Sequence, residues 1–198
     1  MSKQTQPLSN RPPLTEEQIR SHTIGDLQPL SGRILVVDYD PQWPELFERE
    51  AGRIRLALGD RALRVEHTGS TSVPGLPSKP VIDVLLVVAD SRDEAAYVPD
   101  LESAGYVLRI REANWHEHRM LNGRDTDINL HVFSAGCPEI DRMLTFRDWL
   151  RNHAADRDLY ARAKLALARE DWKHVQNYAD AKSAVVEEIL ARALAARR

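Results

Sequence analysis

Residues 66–83 read EHTGSTSVPGLPSKPVID. In this segment, small polar residues lie between the end of one apolar run and the start of the next. The first run ends near His67, and the second, PVIDVLLVV, contains a single carboxylate, Asp83. This pattern predicts a strand, a loop and a second strand. Because residues 81–88 are apolar almost throughout, the second strand is expected to lie in the centre of a sheet, buried on both faces.

The loop between the two strands has the composition of an anion-binding segment. Gly69 can adopt a positive φ and bring backbone N–H groups close to a ligand. Ser70, Thr71 and Ser72 add short hydroxyl donors, and amides at the start of a helical turn favour an anion. With Lys79 as a nearby positive charge, these residues predict a phosphate site. The alternative is an ordinary polar turn.

Asp83 is an unusual residue for an apolar strand. Burying a carboxylate costs free energy of folding unless it is paired, hydrogen-bonded or bound to a metal. A phosphate loop followed by a strand carboxylate suits a metal–nucleotide complex, since Mg²⁺ usually binds one or two carboxylates together with phosphate oxygens. We therefore predict Asp83 as a catalytic, metal-binding residue and Mg²⁺ as cofactor. The alternatives are a solvent-facing carboxylate or one paired with an arginine.

The composition predicts one soluble globular domain. The chain has 198 residues, 42% of them hydrophobic, and a net charge of −3. This charge favours neither nucleic acid nor an anionic membrane as partner, and no apolar run approaches the roughly 18–20 residues of a membrane helix. With no signal-peptide pattern and a single cysteine, a reducing, cytoplasmic location is expected. Residues 1–14 are predicted to be a flexible tail and residues 15–198 one domain.

The remaining periodicities predict a mixed sheet with interspersed helices and a helical C-terminal third, that is, an α+β or mixed α/β fold. Thr15 is expected to cap a short helix, and Asp156 a later one. Further strands are predicted at 33–39, 62–67, 105–112, 116–121 and 127–133, and further helices at 44–59, within 92–104, from 138, at 157–170 and at 174–195.

The segment EHTGSTSVPGLPSKPVIDVLLVV strongly resembles the signature of the GrpB family. Further blocks follow the family's order, and the resemblance covers roughly residues 15–195: VVDYDPQWPELFERE, NLHVF, GCPEIDRMLTFRDWLRNH and YADAK. That family is similar in fold to the nucleotidyltransferase superfamily of DNA polymerase β type, and in some proteins a GrpB-like domain is fused to dephospho-CoA kinase. The resemblance implies a nucleotidyltransferase-like core and a nucleotide or another phosphorylated small molecule as ligand.

The nucleotidyltransferase motif consists of Gly-Ser and, about a dozen residues later, two carboxylates two positions apart on one strand face, where they hold a metal pair. Gly69, Ser70 and Asp83 match this motif, but Leu85 occupies the position of the second acid. Two hypotheses follow. The protein is either a metal-dependent nucleotidyl-transferring enzyme or a degenerate nucleotide- or coenzyme-binding module that acts through a partner protein.

Several residues outside the loop are candidates for the same site. Asn129 and His131 alternate along a predicted strand and are predicted to ligate the metal or contact phosphate. The alternative for His131 is a hydrogen-bonded, half-buried histidine. His67 is predicted to donate to the anion. Because Glu66 and His67 are neighbours on a strand, at most one of them is expected to face the pocket unless the strand ends there.

Three charged segments later in the chain complete the candidate list. Arg119 has the planar guanidinium that suits phosphate, and Lys182 is predicted to reach the ligand from the last helix, four residues after Tyr178. The alternative for this pair is tyrosine packing over the lysine stem. HEH at 116–118 resembles a zinc motif, but zinc needs three or four ligands and the sequence shows no supporting cluster.

Overall fold

The computed structural model of the chain describes residues 12–27, 30 and 33–197. Their centre is a five-stranded sheet with strand order β1-β2-β5-β4-β3. The strands are β1 (Arg64–Thr68), β2 (Ile82–Val88), β3 (Tyr106–Glu112), β4 (His118–Gly123) and β5 (Ile128–Ser134). β2 and β5 run parallel, and the other neighbours are antiparallel. The sheet is therefore mixed, as predicted.

Helices cover both faces of this sheet. They are α1 (Glu16–His22), α2 (Trp43–Leu58), α3 (Val98–Ser103), α4 (Pro138–Asn152), α5 (Ala154–Leu167), α6 (Val175–Ala181) and α7 (Ser183–Ala195). α2 and α3 pack on one face and form the main core. α4 packs on part of the other face. The predicted mixed α/β fold with a helical C-terminal third is confirmed.

β2 is the central strand that the apolar run predicts, with β1 on one side and β5 on the other. Val84 and Leu86 point into the core under α2, whereas Leu85 and Val87 point into a second cluster under α4. Because alternate residues of a strand face opposite sides, an apolar run without alternation is the signature of burial on both faces.

A β-bulge in β3 decides which residues of that strand face the C-terminal helices. Leu108 pairs with Leu121, but Ile110 pairs with Met120, so the register shifts by one residue between them. Leu108 lies in the core under α2, whereas Ile110 and Glu112 line a cavity on the opposite face. One extra residue thus reverses the alternation of side chains along the strand.

The prediction of a strand at residues 33–39 is wrong. Only Val37 pairs there, in an isolated bridge with Ser78. The Val37 amide donates to the Ser78 carbonyl at 2.9 Å, and the Ser78 amide donates to the Val37 carbonyl at 2.8 Å. Ser78 lies between Pro77 and Pro80, and proline has no N–H to donate. The proline-rich partner segment therefore cannot extend the bridge into a ladder.

Two details of the C-terminal helices also differ from prediction. The single helix expected at 174–195 is broken at Lys182, which separates α6 from α7. Its apolar stripe continues across the break, so periodicity does not reveal it. Asp156 does not cap α5, which begins at Ala154. Its carboxylate instead accepts hydrogen bonds from Trp149 Nε1 at 2.6 Å and from Arg192 at 2.7 Å.

The N-terminal segment is described from residue 12 onward, so residues 1–11 of the predicted tail lie outside the described part. The Leu14 amide donates to the Asp180 carboxylate at 2.9 Å. Thr15 caps α1 in a reciprocal capping box with Gln18, which confirms the predicted cap. Among the described residues, no helix combines the length and apolar character needed to cross a bilayer.

Candidate functional site

A cavity of about 550 Å³ lies on the sheet face that carries Asp83, and α1, α5 and α6 enclose it. This volume is in the range typical of small-molecule sites. The loop residues Gly69, Ser70 and Thr71 line one end. The ionisable lining residues are His22, Lys79, Asp83, Glu112, His131, Lys164, His174, Tyr178 and Lys182.

Gly69 lies against the side chain of Asp83. Thr68 pairs with Asp83 across β1 and β2, so the loop begins directly beside this carboxylate. Gly69 has a φ of +65°, and a Cβ at this position would lie 2.1 Å from Asp83 Oδ2. Only glycine combines that backbone conformation with so close an approach.

The loop itself forms a single 3₁₀ turn, Ser70–Ser72. The amides of Ser72 and Val73 bond back to the carbonyls of Gly69 and Ser70, at 3.4 and 3.2 Å. Within the described part of the chain, the amides of Ser70 and Thr71 donate to no backbone carbonyl or side chain. They begin the turn beside the cavity, so they remain available to an anion.

The Asp83 carboxylate is held by two side chains of β5, the parallel neighbour of β2. Asn129 Nδ2 donates to Asp83 Oδ1 at 3.0 Å, and His131 Nε2 lies 3.6 Å from the same oxygen. Asn122 Nδ2 donates to Asn129 Oδ1 at 2.9 Å and to the carbonyl of Ile128 at 3.1 Å, which fixes both amides. Asn129 therefore presents an N–H group to Asp83, and its predicted role as a metal ligand stays a prediction.

The environment keeps Asp83 ionised. Burial by itself raises the pKa of this carboxyl, but the neighbouring His131, the Asn129 amide and the charge of Lys182 outweigh it. The pKa therefore lies below its ordinary value. Asp83 is consequently a carboxylate at neutral pH and can bind a cation.

A row of side chains leads from Asp83 across the cavity-facing side of the sheet to Glu112. His118 Nε2 lies 3.1 Å from His131 Nδ1, and His118 Nδ1 lies 2.7 Å from Glu112 Oε2. The two imidazole rings are stacked, with centroids 5.2 Å apart. His22 of α1 lies 3.3 Å from Glu112 Oε1. Sequence reasoning did not identify Glu112, because the bulge in β3 places it on this face.

Lys164 is the second residue that sequence reasoning missed. Its side chain is 2% exposed, and its ammonium group donates to the Pro77 carbonyl and to Ser78 Oγ. Burial and, to a lesser degree, the charge of Lys182 lower the pKa of Lys164 to about 7, against the opposing effect of Asp83. Lys164 is buried because α5 packs on the loop that carries Pro77 and Ser78. No pattern in the sequence around Lys164 predicts this long-range contact.

Lys79 and Lys182 line the same cavity, and their predicted contact with a phosphorylated ligand stays a prediction. Lys182 lies over the ring of Tyr178, with Nζ 4.6 Å from the ring centroid. Burial lowers the pKa of both lysines, and Asp83 opposes this effect. The break between α6 and α7 thus occurs at the residue whose side chain enters the cavity.

His67 and Ser72, which were predicted to bind the phosphate, are not among the residues that line the cavity. The His67 ring stacks on Phe47 of α2 at 4.8 Å, and its Nε2 lies 3.1 Å from Thr71 Oγ1. Burial lowers the pKa of His67 to about 4, so it carries no charge at neutral pH. The Ser72 hydroxyl donates to the Gly69 carbonyl at 2.6 Å. Both side chains stabilise the loop.

Arg119, which was also predicted to contact phosphate, is not among the residues that line the cavity. It points to the opposite sheet face and pairs with Glu94. The HEH segment does not form a strand face, because His116 and Glu117 have φ values of +54° and +51° and belong to a turn. Only His118 enters β4, where it contacts Glu112 and His131.

Comparison with known proteins agrees with the sequence resemblance. The family model described as GrpB protein matches residues 33–192. UPF0157 protein BH1888 of Halalkalibacterium halodurans is 62% identical over 185 residues, which are 93% of this chain and 95% of that protein. The crystal structure of the conserved protein GrpB from Enterococcus faecalis superposes with a TM-score of 0.72 at 32% identity, covering 82% of this chain and 99% of that one.

A longer relative contains a similar region. A dephospho-CoA kinase of Mycobacterium bovis is 31% identical over 196 residues, which cover 85% of this chain and 48% of that kinase. The similarity thus spans about half of the kinase. The family model and the full-length relative each cover most of the chain described above. The chain therefore belongs to the GrpB family.

Proposed function

We propose that the cavity binds a phosphorylated small molecule, such as a nucleotide or a coenzyme. One observation carries this proposal: three lysines from separate segments, Lys79, Lys164 and Lys182, line a single cavity. Burying like charges together destabilises a protein unless an anion compensates for them. A phosphate group supplies that compensation, and the amides of Ser70 and Thr71 offer it additional hydrogen bonds.

The residues present fit one divalent cation that arrives with the phosphates. Asp83 offers one carboxylate, and a Mg²⁺ bound mainly by phosphate oxygens and water needs no more. Such an ion would neutralise phosphate charge. Leu85, at the position of the second acid, is fully buried under α4. The described residues contain no group of three His, Cys, Asp or Glu arranged for a metal. These facts favour ligand binding over two-metal nucleotidyl transfer.

The relative named dephospho-CoA kinase favours a particular ligand class. About half of that protein is similar to this chain. Coenzyme A and dephospho-coenzyme A carry phosphate groups together with a nucleoside, so they match the charge of the cavity. Adenine nucleotides and coenzyme A derivatives are therefore the first ligands to test.

Substituting Lys182 with glutamine is expected to weaken binding of ATP or coenzyme A by about tenfold or more, because a charge-assisted hydrogen bond is lost. Isothermal titration calorimetry of the full chain, with and without Mg²⁺, measures this change. Lys173→Gln is the matched control, since Lys173 is 62% exposed and pairs with Glu16 outside the cavity. Absence of binding by the wild type, or equal losses in both variants, contradicts the proposal.

Anion binding is expected to weaken as the pH rises through about 7, where Lys164 loses its proton. The lysine is cationic below this pKa and neutral above it, so the attraction for an anion declines with rising pH. Sulfate is the suitable probe because its charge is constant over this range. We expect about a threefold or larger loss of affinity between about pH 6 and pH 8.5.

Lys164→Met is expected to reduce this pH dependence, because the variant has no proton to lose at position 164. Lys79 and Lys182 also have lowered pKa values, so a smaller dependence remains at higher pH. An unchanged pH profile in the variant would show that another group controls binding.

A further inference from the structure

Four residues on neighbouring strands form a line across the sheet, from the end of β1 to β4. Thr68 of β1 pairs with Asp83 of β2, which pairs with Asn129 of β5. Asn129 in turn pairs with Asn122 of β4. Adjacent strands lie about 4.8 Å apart, so Asn122 is about 10 Å from Asp83 along this line. Both residues line the cavity, and the line therefore connects its loop end with a second position at Asn122.

The hydrogen bonds along this line determine how both amides are turned. A carboxylate only accepts, so Asn129 directs Nδ2 at Asp83 and Oδ1 at Asn122. A backbone carbonyl also only accepts. Asn122 therefore directs Nδ2 at the Ile128 carbonyl, 3.1 Å away, and at Asn129 Oδ1, 2.9 Å away. These two bonds use both N–H groups of the Asn122 side chain.

The remaining polar atom of this side chain, Asn122 Oδ1, is an acceptor without a donor. Within residues 12–27, 30 and 33–197, no N–H or O–H group of the protein donates to it. The amide cannot turn to offer a donor instead without breaking both bonds of Nδ2. Asn122 thus contributes a fixed acceptor to a cavity whose loop end is lined by lysines and free amides.

Apolar side chains lie beside Asn122 on the same wall of the cavity. Met120 precedes it by two residues and so shares its face of β4. Ile110 pairs with Met120 directly after the bulge in β3. Both line the cavity, as does Ile19 of α1. A thioether packs favourably against an aromatic ring, and an apolar wall with a few oriented polar groups is typical of small-molecule sites. This wall suits a flat heterocycle.

We propose that this wall binds a nucleobase and that Asn122 Oδ1 accepts a hydrogen bond from the amino group of the base. The inference rests on the proposed function, because the phosphate at the loop holds the other end of the same ligand. A nucleoside monophosphate is long enough to reach from the loop to Asn122, whereas a phosphate ion is not. Adenine presents an amino donor to Asn122. Hypoxanthine presents a carbonyl oxygen instead, and two acceptors that face each other repel.

Three nucleotides that differ in one substituent of the base test this inference on the unmodified full-length protein. They are adenosine monophosphate, with an amino group, inosine monophosphate, with an oxygen, and purine riboside monophosphate, with a hydrogen. We expect adenosine monophosphate to bind about tenfold or more tightly than either analogue in calorimetry, because both analogues leave Asn122 Oδ1 unpaired. Equal affinities overturn the inference, since they place Asn122 against a group that all three ligands share, such as the ribose.

Asn122→Leu removes the acceptor and keeps a side chain of similar size. We expect the preference for adenosine monophosphate over inosine monophosphate to fall to within about twofold. Sulfate, which reaches only the phosphate end, should lose less than about threefold in affinity. Asn152→Leu is the control, because Asn152 is exposed in α4 and donates to the Asp148 carbonyl; it should leave the preference unchanged. A preference that persists in Asn122→Leu overturns the inference.

Sulfate also separates this inference from the proposed function. If the wild type binds sulfate and all three nucleotides with the same preference for none of them, the phosphate site stands and the base site is contradicted. If it binds neither sulfate nor nucleotides, both proposals fail. If Asn122→Leu does not fold, the comparison of the three nucleotides on the wild type decides the question by itself.

Discussion

Gly69→Ala is expected to destabilise the protein by about 3–5 kcal/mol and to abolish phosphate binding. A side chain at this positive φ costs about 1–2 kcal/mol by itself. The new Cβ would also lie 2.1 Å from Asp83 Oδ2 and 2.8 Å from Asp83 Cγ, so the carboxylate must move. That movement breaks the hydrogen bond from Asn129. Urea unfolding and calorimetry with ATP measure the two effects.

Gly75→Ala is the matched control for this prediction. Gly75 has a φ of +77°, but a Cβ there meets nothing within 4 Å. The control therefore has the backbone penalty without the clash, and a loss of about 1–2 kcal/mol is expected. Equal losses in the two variants would show that the contact between Gly69 and Asp83 has no energetic consequence.

Leu85→Asp, which restores the second acid of the nucleotidyltransferase motif, is expected to prevent folding instead of creating a second metal site. Leu85 is fully buried in a cluster with Phe133, Ile140 and Leu144. An unpaired carboxylate there loses its hydration without gaining a partner, so we expect a destabilisation of about 4 kcal/mol or more. Thermal and urea unfolding measure this loss.

Leu85→Met is the control, because it conserves volume and apolar character and should cost less than about 1.5 kcal/mol. A folded Leu85→Asp variant that binds divalent cations more tightly than the wild type would contradict the prediction. In the wild type, α4 covers the position of the second acid. The strand β2 therefore carries one carboxylate, Asp83, where the nucleotidyltransferase motif has two.

The elements that the sequence predicted well depend on short-range patterns. β2 was recognisable because its apolar run has no alternation, and the cap of α1 because Thr15 and Gln18 are three residues apart. The predictions that failed depend on distant partners. Residues 33–39 have strand composition, but the segment that they meet contains prolines and cannot form a ladder.

The sequence by itself determined the centre of the site. Composition predicted the strand, loop and strand that contain Gly69, Ser70 and Asp83, and the antiparallel pairing of β1 with β2 places them side by side. Only the tertiary structure decided which other groups face the same cavity. Glu112 is there because of a bulge, and Lys164 because α5 packs on the loop that carries Pro77. Bulges and helix packing arise from contacts between residues far apart in the chain, and periodicity within one segment does not record them.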